Sequence, residues 1–288
     1  MKIIKSTLYQ MDPTASLQAY YPVSGGDMNE AYYVRTDRGE FFVKLNREVE
    51  SSFFEFEETG LMKLRKAEAI DVPEVYGVVI DPETQVPTLW MEWIEGERNH
   101  QTDKWLGERL AALHQTIGEK FGWEGKSFIG KLEQQNVFTT DWLTYYRDFR
   151  IAGQLEFGRA RGTMTGKREK RLVQLMEEME RIVPLEPAAS LLHGDLWGGN
   201  WMVGKGGNPY LIDPSVLYGD HEFELSFTEL FGGFSNVFYE AYESVFPVSN
   251  TYEERKPLYQ LYYLLVHLNM FGEVYGGSVD RILKWYVG

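Results

Sequence analysis

The sequence predicts an α+β protein of two lobes: a β-rich N-terminal lobe over residues 1–94 and a helical C-terminal lobe over 95–288. Three observations predict it. Short stretches rich in β-branched and aromatic residues, with one main helix among them, recur as far as Ile94. From Thr102 the apolar period changes to 3.6. One polar-centred hairpin, around residues 191–213, interrupts the helical half. Strands first and helices afterwards is the order of an α+β arrangement, not of repeated βαβ units.

The first strands are Tyr20–Val23, Ala31–Arg35 and Glu40–Lys44, rich in Val, Tyr and Phe. Ser24-Gly25-Gly26-Asp27-Met28-Asn29 joins the first two, and Asp37-Arg38-Gly39 turns the second into the third. A glycine-bearing turn between strands can lay backbone N–H groups over phosphates, which makes Gly25, Gly26 and Asn29 candidate anion-binding positions. A helix follows over 53–69, with Phe54, Leu61 and Leu64 on its apolar face and with Glu57 and Glu58 also on it. Two more strands, 75–80 and 88–94, flank a turn opened by Asp81-Pro82. Glu95-Gly96 breaks the pattern and sets the lobe boundary near Trp93–Glu97. The next helix carries Leu106, Leu110, Leu113 and Ile117 on one face. Further helices are expected at 140–160, 167–183, 222–231, 234–245, 252–271 and 278–286.

Composition narrows the function classes. At 288 residues, with 43% hydrophobic and 25% charged content, the chain can bury a large core. A net charge of −14 argues against nucleic-acid partners, which need basic patches to neutralise phosphates. With no cysteine there is no disulfide, no thiol nucleophile and no Cys-ligated metal. That fits a reducing cytosol. The first residues, Met1-Lys-Ile-Ile-Lys-Ser, form no apolar signal region. The most apolar run, 258–271, is too short to span a bilayer and contains His267 and Asn269. The expectation is a cytoplasmic protein with neither membrane nor nucleic-acid partners.

The chemistry concentrates in Leu191-Leu-His-Gly-Asp195-Leu-Trp197-Gly-Gly-Asn200-Trp-Met202 and in Tyr210-Leu-Ile-Asp213-Pro214. Phosphoryl transfer needs a base for a hydroxyl proton and oxygen ligands for Mg²⁺ on the nucleotide phosphates. The loop that supplies them places base and first ligand five residues apart. Asp195 and Asn200 have that spacing. Lys205-Gly-Gly-Asn208 reads as a hairpin turn that returns Asp213, the second candidate ligand. Lys44 closes the third strand, where a kinase carries the lysine for the α/β-phosphates. Either Glu57 or Glu58 could pair with it. Glu92, Trp93 and Ile94 lie where main-chain groups would meet an adenine.

The stretches VSGGDMNEAYYV, GEFFVKLN, FEFEETGLMKL, LGERLAALHQ, SFIGKLEQQN, LLHGDLWGGN, LIDPSVLYGDHEFELSFTELFGGF and LYQLYYLLVHLNMFGEVY run in order from about residue 23 to 275. In them the chain resembles the fructosamine kinases, or ketosamine 3-kinases, of the aminoglycoside-phosphotransferase and choline-kinase branch of the kinase fold. The resemblance implies ATP- and Mg²⁺-dependent phosphorylation of the 3-hydroxyl of ketosamines, either small molecules or glycated lysines on proteins. The phosphorylated adducts then break down, so the implied role is deglycation and protein repair. It implies Asp195 as the base, Asn200 and Asp213 as metal ligands, and Lys44 with Glu57 at the nucleotide. Glu57 matches better than Glu58 because it sits three residues before Gly60-Leu61. Trp197 matches a tryptophan that stacks on the sugar, and Glu224 an acid that braces the loop.

Two departures shape that expectation. Many members carry a cysteine where this chain has Asp27, so a redox-sensitive disulfide there is excluded. Relative to protein kinases, Gly194 replaces an arginine, and only eight residues separate Asp213 from Glu222. That leaves no room for an activation loop and favours a small or flexible acceptor. Two alternatives stand beside the leading reading. One is a kinase of another small alcohol, such as an aminoglycoside, choline or a sugar. The other is a nucleotide-binding pseudokinase.

Overall fold

The computed structural model describes residues 2–24 and 28–288. Its contacts divide the chain into two compact units: one runs through Thr102 and takes in Trp201–Pro214, and the other comprises Asp103–Asn200 and Ser215–Gly288.

The first unit is built on a five-stranded antiparallel sheet. Its strands are β1 (Leu17–Pro22), β2 (Glu30–Thr36), β3 (Glu40–Leu45), β4 (Val75–Ile80) and β5 (Pro87–Glu92), in spatial order β1-β2-β3-β5-β4. Among the described residues it carries two α-helices. The N-terminal helix α1 (Lys2–Met11) has no counterpart in the strand-dominated expectation for this region. Its Ile4 and Leu8, one turn apart, are buried with Val34, Val43 and Trp90, so a one-faced apolar stripe on the sheet holds a short helix that propensity alone would not. Helix α2 (Ser51–Lys66) buries Phe54, Leu61 and Leu64, the face expected for it, and Glu57 as well. Lys63, Arg65 and Lys66 occupy its last turn, where cations favour the helix dipole.

The hairpin β9 (Trp201–Val203) and β10 (Pro209–Leu211) forms around Lys205–Gly207. It joins the first unit through specific bonds. Leu211 N donates to Asp71 O at 2.9 Å, Asn99 Nδ2 to Gly206 O at 2.8 Å and Thr102 Oγ1 to Gly207 O at 2.8 Å. These bonds tie Asn99 and Thr102 to the hairpin turn.

The second unit is helical. It contains α3 (Thr102–His114), α4 (Trp142–Thr144), α5 (Ala152–Arg161), α6 (Gly166–Glu178), α7 (His221–Leu230), α8 (Asn236–Val245), α9 (Tyr252–Phe271) and α10 (Gly276–Val287). A π-helical segment, Tyr145–Ile151, makes α4 and α5 one continuous element. The core is unusually aromatic. Trp142, Tyr145, Tyr146, Phe223, Phe227, Tyr259 and Tyr263 are buried together, and Phe227 stacks on Tyr263 with ring centres 3.6 Å apart. One expectation fails here. Ile117 is 53% exposed because α3 stops at His114 and Thr116 N caps back to Leu113 O. Two small ladders went unforeseen: β6 (Ser127–Ile129) with β7 (Leu132–Gln134), and β8 (Ser190–Leu192) with β11 (Leu217–Gly219). Three-residue strands leave too little periodicity to read.

Candidate active site

In the first unit, Lys44 and Glu57 form a buried ion pair, Nζ to Oε1, at 2.7 Å. Lys44 is 2% exposed. Strand β3 aims it inward between partners Ala31 and Leu89, and one buried face of α2 supplies Glu57. Glu58, the neighbour that could have paired instead, is only half-buried. Asp213, at the end of the hairpin, bonds the same Nζ. Burial pulls the Lys44 ammonium down, but the Asp213 and Glu57 carboxylates outweigh it and its pKa is raised. Burial dominates at Glu57 and raises its pKa, with Lys44 opposing. Asp213 holds φ at 56°, outside the extended region that a following proline favours. Such strain concentrates at working sites.

In the second unit, the loop following β8 carries Asp195, Trp197 and Asn200. Asn200 is buried and donates from Nδ2 to Asp195 O at 2.8 Å and to Asp195 Oδ2 at 3.2 Å. The five-residue spacing therefore brings the two side chains together. Hydrogen bonds to its backbone fix the loop. Glu224 Oε2 accepts from His193 N at 3.1 Å and Oε1 from Gly194 N at 2.5 Å. Ser215 N donates to His193 O at 2.8 Å and Tyr263 Oη to Gly194 O at 3.2 Å. Gly194 explains why arginine is absent here: its φ is +85°, and a Cβ would lie 1.9 Å from the Ser215 carbonyl oxygen. Burial works against the Glu224 charge, yet hydrogen bonds from His114 and Gly194 and the nearby His193 leave its pKa lowered.

Trp197 is 43% exposed. Its loop docks onto the Phe231-Gly-Gly-Phe234 segment, where Gly198 and Gly233 approach so closely that a Cβ on Gly233 would lie 2.6 Å from the Gly198 Cα.

Of the other candidates, Asn29 Oδ1 accepts from Asn46 Nδ2 at 2.9 Å, and Asn46 also holds Met28 O. Glu92 closes β5, accepting from Glu74 N at 3.1 Å. Trp93 packs edge-on against Tyr33, with ring centres 4.9 Å apart, and Ile94 is buried. Gly25 and Gly26, with Asp27, lie outside the described residues. Sequence reasoning missed Asn46, and it missed Ser215, Tyr263 and His114, whose partners lie farther away in the chain. His114 lies within the quoted LGERLAALHQ stretch, but nothing local points from it to a loop 80 residues on.

An antiparallel-sheet unit with a buried Lys–Glu pair, and a helical unit whose loop joins Asp to Asn, define a kinase-like class of phosphotransferase. The comparisons narrow it. The chain belongs to the fructosamine kinase family, whose profile it matches over residues 1–287. It is 37% identical over 264 residues to a probable ketoamine kinase of Enterococcus faecium, covering 91% of this chain and 93% of that one. It is 35% identical over 275 residues to the chloroplastic protein-ribulosamine 3-kinase of Arabidopsis thaliana, covering 92% and 81%. A crystal structure from Haemophilus somnus carrying the fructosamine-3-kinase name superposes with a TM-score of 0.87 at 27% identity, over 100% of this chain and 97% of that one. An aminoglycoside phosphotransferase shares the fold alone, with a TM-score of 0.61 at 15% identity over 99% of each chain. Among the described residues no helix is long and apolar enough to cross a membrane.

Proposed function

We propose that this protein transfers the γ-phosphoryl group of ATP to the 3-hydroxyl of ketosamines, free or carried on glycated lysines, and so initiates deglycation in the cytoplasm. The observation that carries the reading is the braced loop, in which Asn200 holds Asp195 while Glu224 fixes the backbone before it. The relatives named for ketoamines and ribulosamine supply the acceptor class.

Each residue then has a task. Asp195 takes the proton of the 3-hydroxyl as that oxygen attacks the γ-phosphorus and the bond to the β-phosphate bridging oxygen breaks, releasing ADP. A carboxylate suffices, because the alcohol becomes acidic only as the new bond forms. Lys44, oriented by Glu57, steadies the α- and β-phosphates. Main-chain groups of Glu92, Trp93 and Ile94 meet the adenine, and Gly25, Gly26 and Asn29 cover the phosphates. The partly exposed Trp197 stacks on the sugar chain. Asn200 and Asp213 fit Mg²⁺ by donor chemistry. Asn200 turns Nδ2 to Asp195 and so presents Oδ1, Asp213 supplies a carboxylate, and this hard ion needs only one or two protein oxygens. When bound, Mg²⁺ neutralises phosphate charge.

The test is thermal shift with Mg-ATP, followed by phosphate transfer to synthetic ribuloselysine. Stabilisation by Mg-ATP with turnover lost in EDTA and in Asp213→Ala supports the proposal. Stabilisation without transfer to any ketosamine moves the activity to another alcohol or to nucleotide binding alone.

A further inference from the structure

Behind the loop lies a buried chain of polar groups that the mechanism above leaves without a task. His114, on α3, is fully buried, and both of its ring nitrogens are engaged. Nε2 is 2.8 Å from Glu224 Oε2, and Nδ1 is 2.6 Å from Tyr242 Oη. Tyr242, on α8, is also fully buried, and its Oη lies 2.9 Å from His221 Nδ1. The oxygen that His114 reaches is the one that accepts from His193 N.

Donor counting gives the chain a direction. The Glu224 carboxylate has only acceptors to offer, so His114 must present Nε2–H. In the neutral ring Nδ1 is then an acceptor, which the Tyr242 hydroxyl satisfies by donating. That leaves the Tyr242 oxygen to accept from His221 Nδ1–H. Every member is satisfied in one tautomer, and the opposite His114 tautomer would set a lone pair against a carboxylate in a water-poor interior.

We infer that His114 is a positioning residue of the transfer reaction: its Nε2–H fixes the Glu224 carboxylate that holds the His193 and Gly194 amides, and the Tyr242 hydroxyl satisfies its Nδ1. The inference rests on the reading of Asp195 as the base, because the Gly194 backbone it secures leads directly into that residue.

The experiment combines kinetics with histidine ¹⁵N NMR. In the wild type, the His114 ring should carry its proton on Nε2. Tyr242→Phe, which deletes only the hydroxyl, should leave the proton on Nε2, where the Glu224 carboxylate holds it, and should move the Nδ1 resonance alone. His114→Gln keeps a donor near the Nε2 position and His114→Leu removes it. The leucine variant should lose about tenfold or more in kcat, the scale of one lost charge-assisted hydrogen bond. The glutamine variant should stay within about threefold, and KM for ATP should hold in both because the nucleotide lysine is untouched. The Gly194 amide resonance should move in the leucine variant and much less in the glutamine one. A wild-type His114 protonated on Nδ1 alone would overturn the inference, and so would His114→Leu with undiminished kcat. If the variants do not fold, the wild-type spectrum still decides. Should the wild type phosphorylate no ketosamine, the functional reading fails, while the tautomer and the Gly194 resonance judge His114 independently.

Discussion

Replacing Lys44 with methionine tests the buried charge cluster of the first unit. The substitution keeps the length and most of the apolar stem but deletes the ammonium between Glu57 and Asp213. Asp213 reaches solvent, with 34% of its side chain exposed, and water can screen its loss. Glu57, at 9% side-chain exposure, has no such relief. Breaking a buried pair by removing one partner costs about 3–5 kcal/mol, because a lone charge remains in a poor solvent. That cost depends on pH, and its sign follows from Glu57. Burial already raises its folded-state pKa above the ordinary 4.5, and losing Lys44 removes the opposing influence. A carboxyl with a raised folded pKa binds more protons folded than unfolded. Its contribution is therefore fully present below about 4.5 and is lost as pH rises through the folded value. Urea unfolding of Lys44→Met should thus show a deficit of about 3–5 kcal/mol at pH 7.5 that shrinks markedly at pH 5. A deficit equal at both pH values would refute the reasoning, as would one below about 1 kcal/mol at pH 7.5, the range of exposed pairs.

Two further outcomes follow from the same geometry. Trp197→Ala should raise the acceptor KM by roughly tenfold with ATP KM little changed, since covering the exposed part of the ring is worth about 1–2 kcal/mol at about 25 cal/mol per Å²; equal loss for both substrates would assign Trp197 to packing. His221, which burial drives down to about 3 from 6.5, stays neutral in the fold. The unfolded chain then binds more protons across that window, so His221 favours folding above 6.5 and loses that contribution as pH falls towards 3. Asp220, raised by burial to about 6 from 3.8, acts with the opposite sign over 3.8 to 6. His221→Phe, which keeps the stack on Phe246, should flatten the acid-side loss of stability relative to wild type in urea titrations, and an unchanged slope would count against the assignment.

Much of the fold was legible because its signals are local. The strands Glu40–Leu45 and Val75–Ile80 and the helix Tyr252–Phe271 lie where alternation and the 3.6 period place them. The turn at Lys205–Gly207 is legible for a similar reason: two glycines separate two apolar runs. The helix at Lys2–Met11 was missed although Ile4 and Leu8 carry the spacing, since ten residues hold a helix only once a sheet lies beneath them. Ile117 continued a periodic pattern past the true helix end, which a turn at Thr116 set and hydrophobicity could not. At the site, spacing brought Asp195 and Asn200 together on one loop. Spacing could not choose between Glu57 and Glu58, because adjacent helix positions differ in facing by about 100° and only the packed helix shows which one turns to Lys44. His114 and Tyr242 were invisible for a different reason. Their partners are 110 and 128 residues away, respectively from Glu224 and from His114 itself, and only tertiary packing joins them.

The central claim, that Asp195 accepts the proton of a ketosamine 3-hydroxyl, is tested most directly by comparing wild type with Asp195→Asn on Mg-ATP and ribuloselysine, following product by ³¹P-coupled NMR. The asparagine keeps shape and hydrogen bonding but cannot take the proton. Wild type should place phosphate on the 3-hydroxyl, and the variant should show a kcat at least about 100-fold lower, with Mg-ATP affinity nearly unchanged. A variant retaining most of its kcat, or a wild-type product phosphorylated elsewhere, would contradict it.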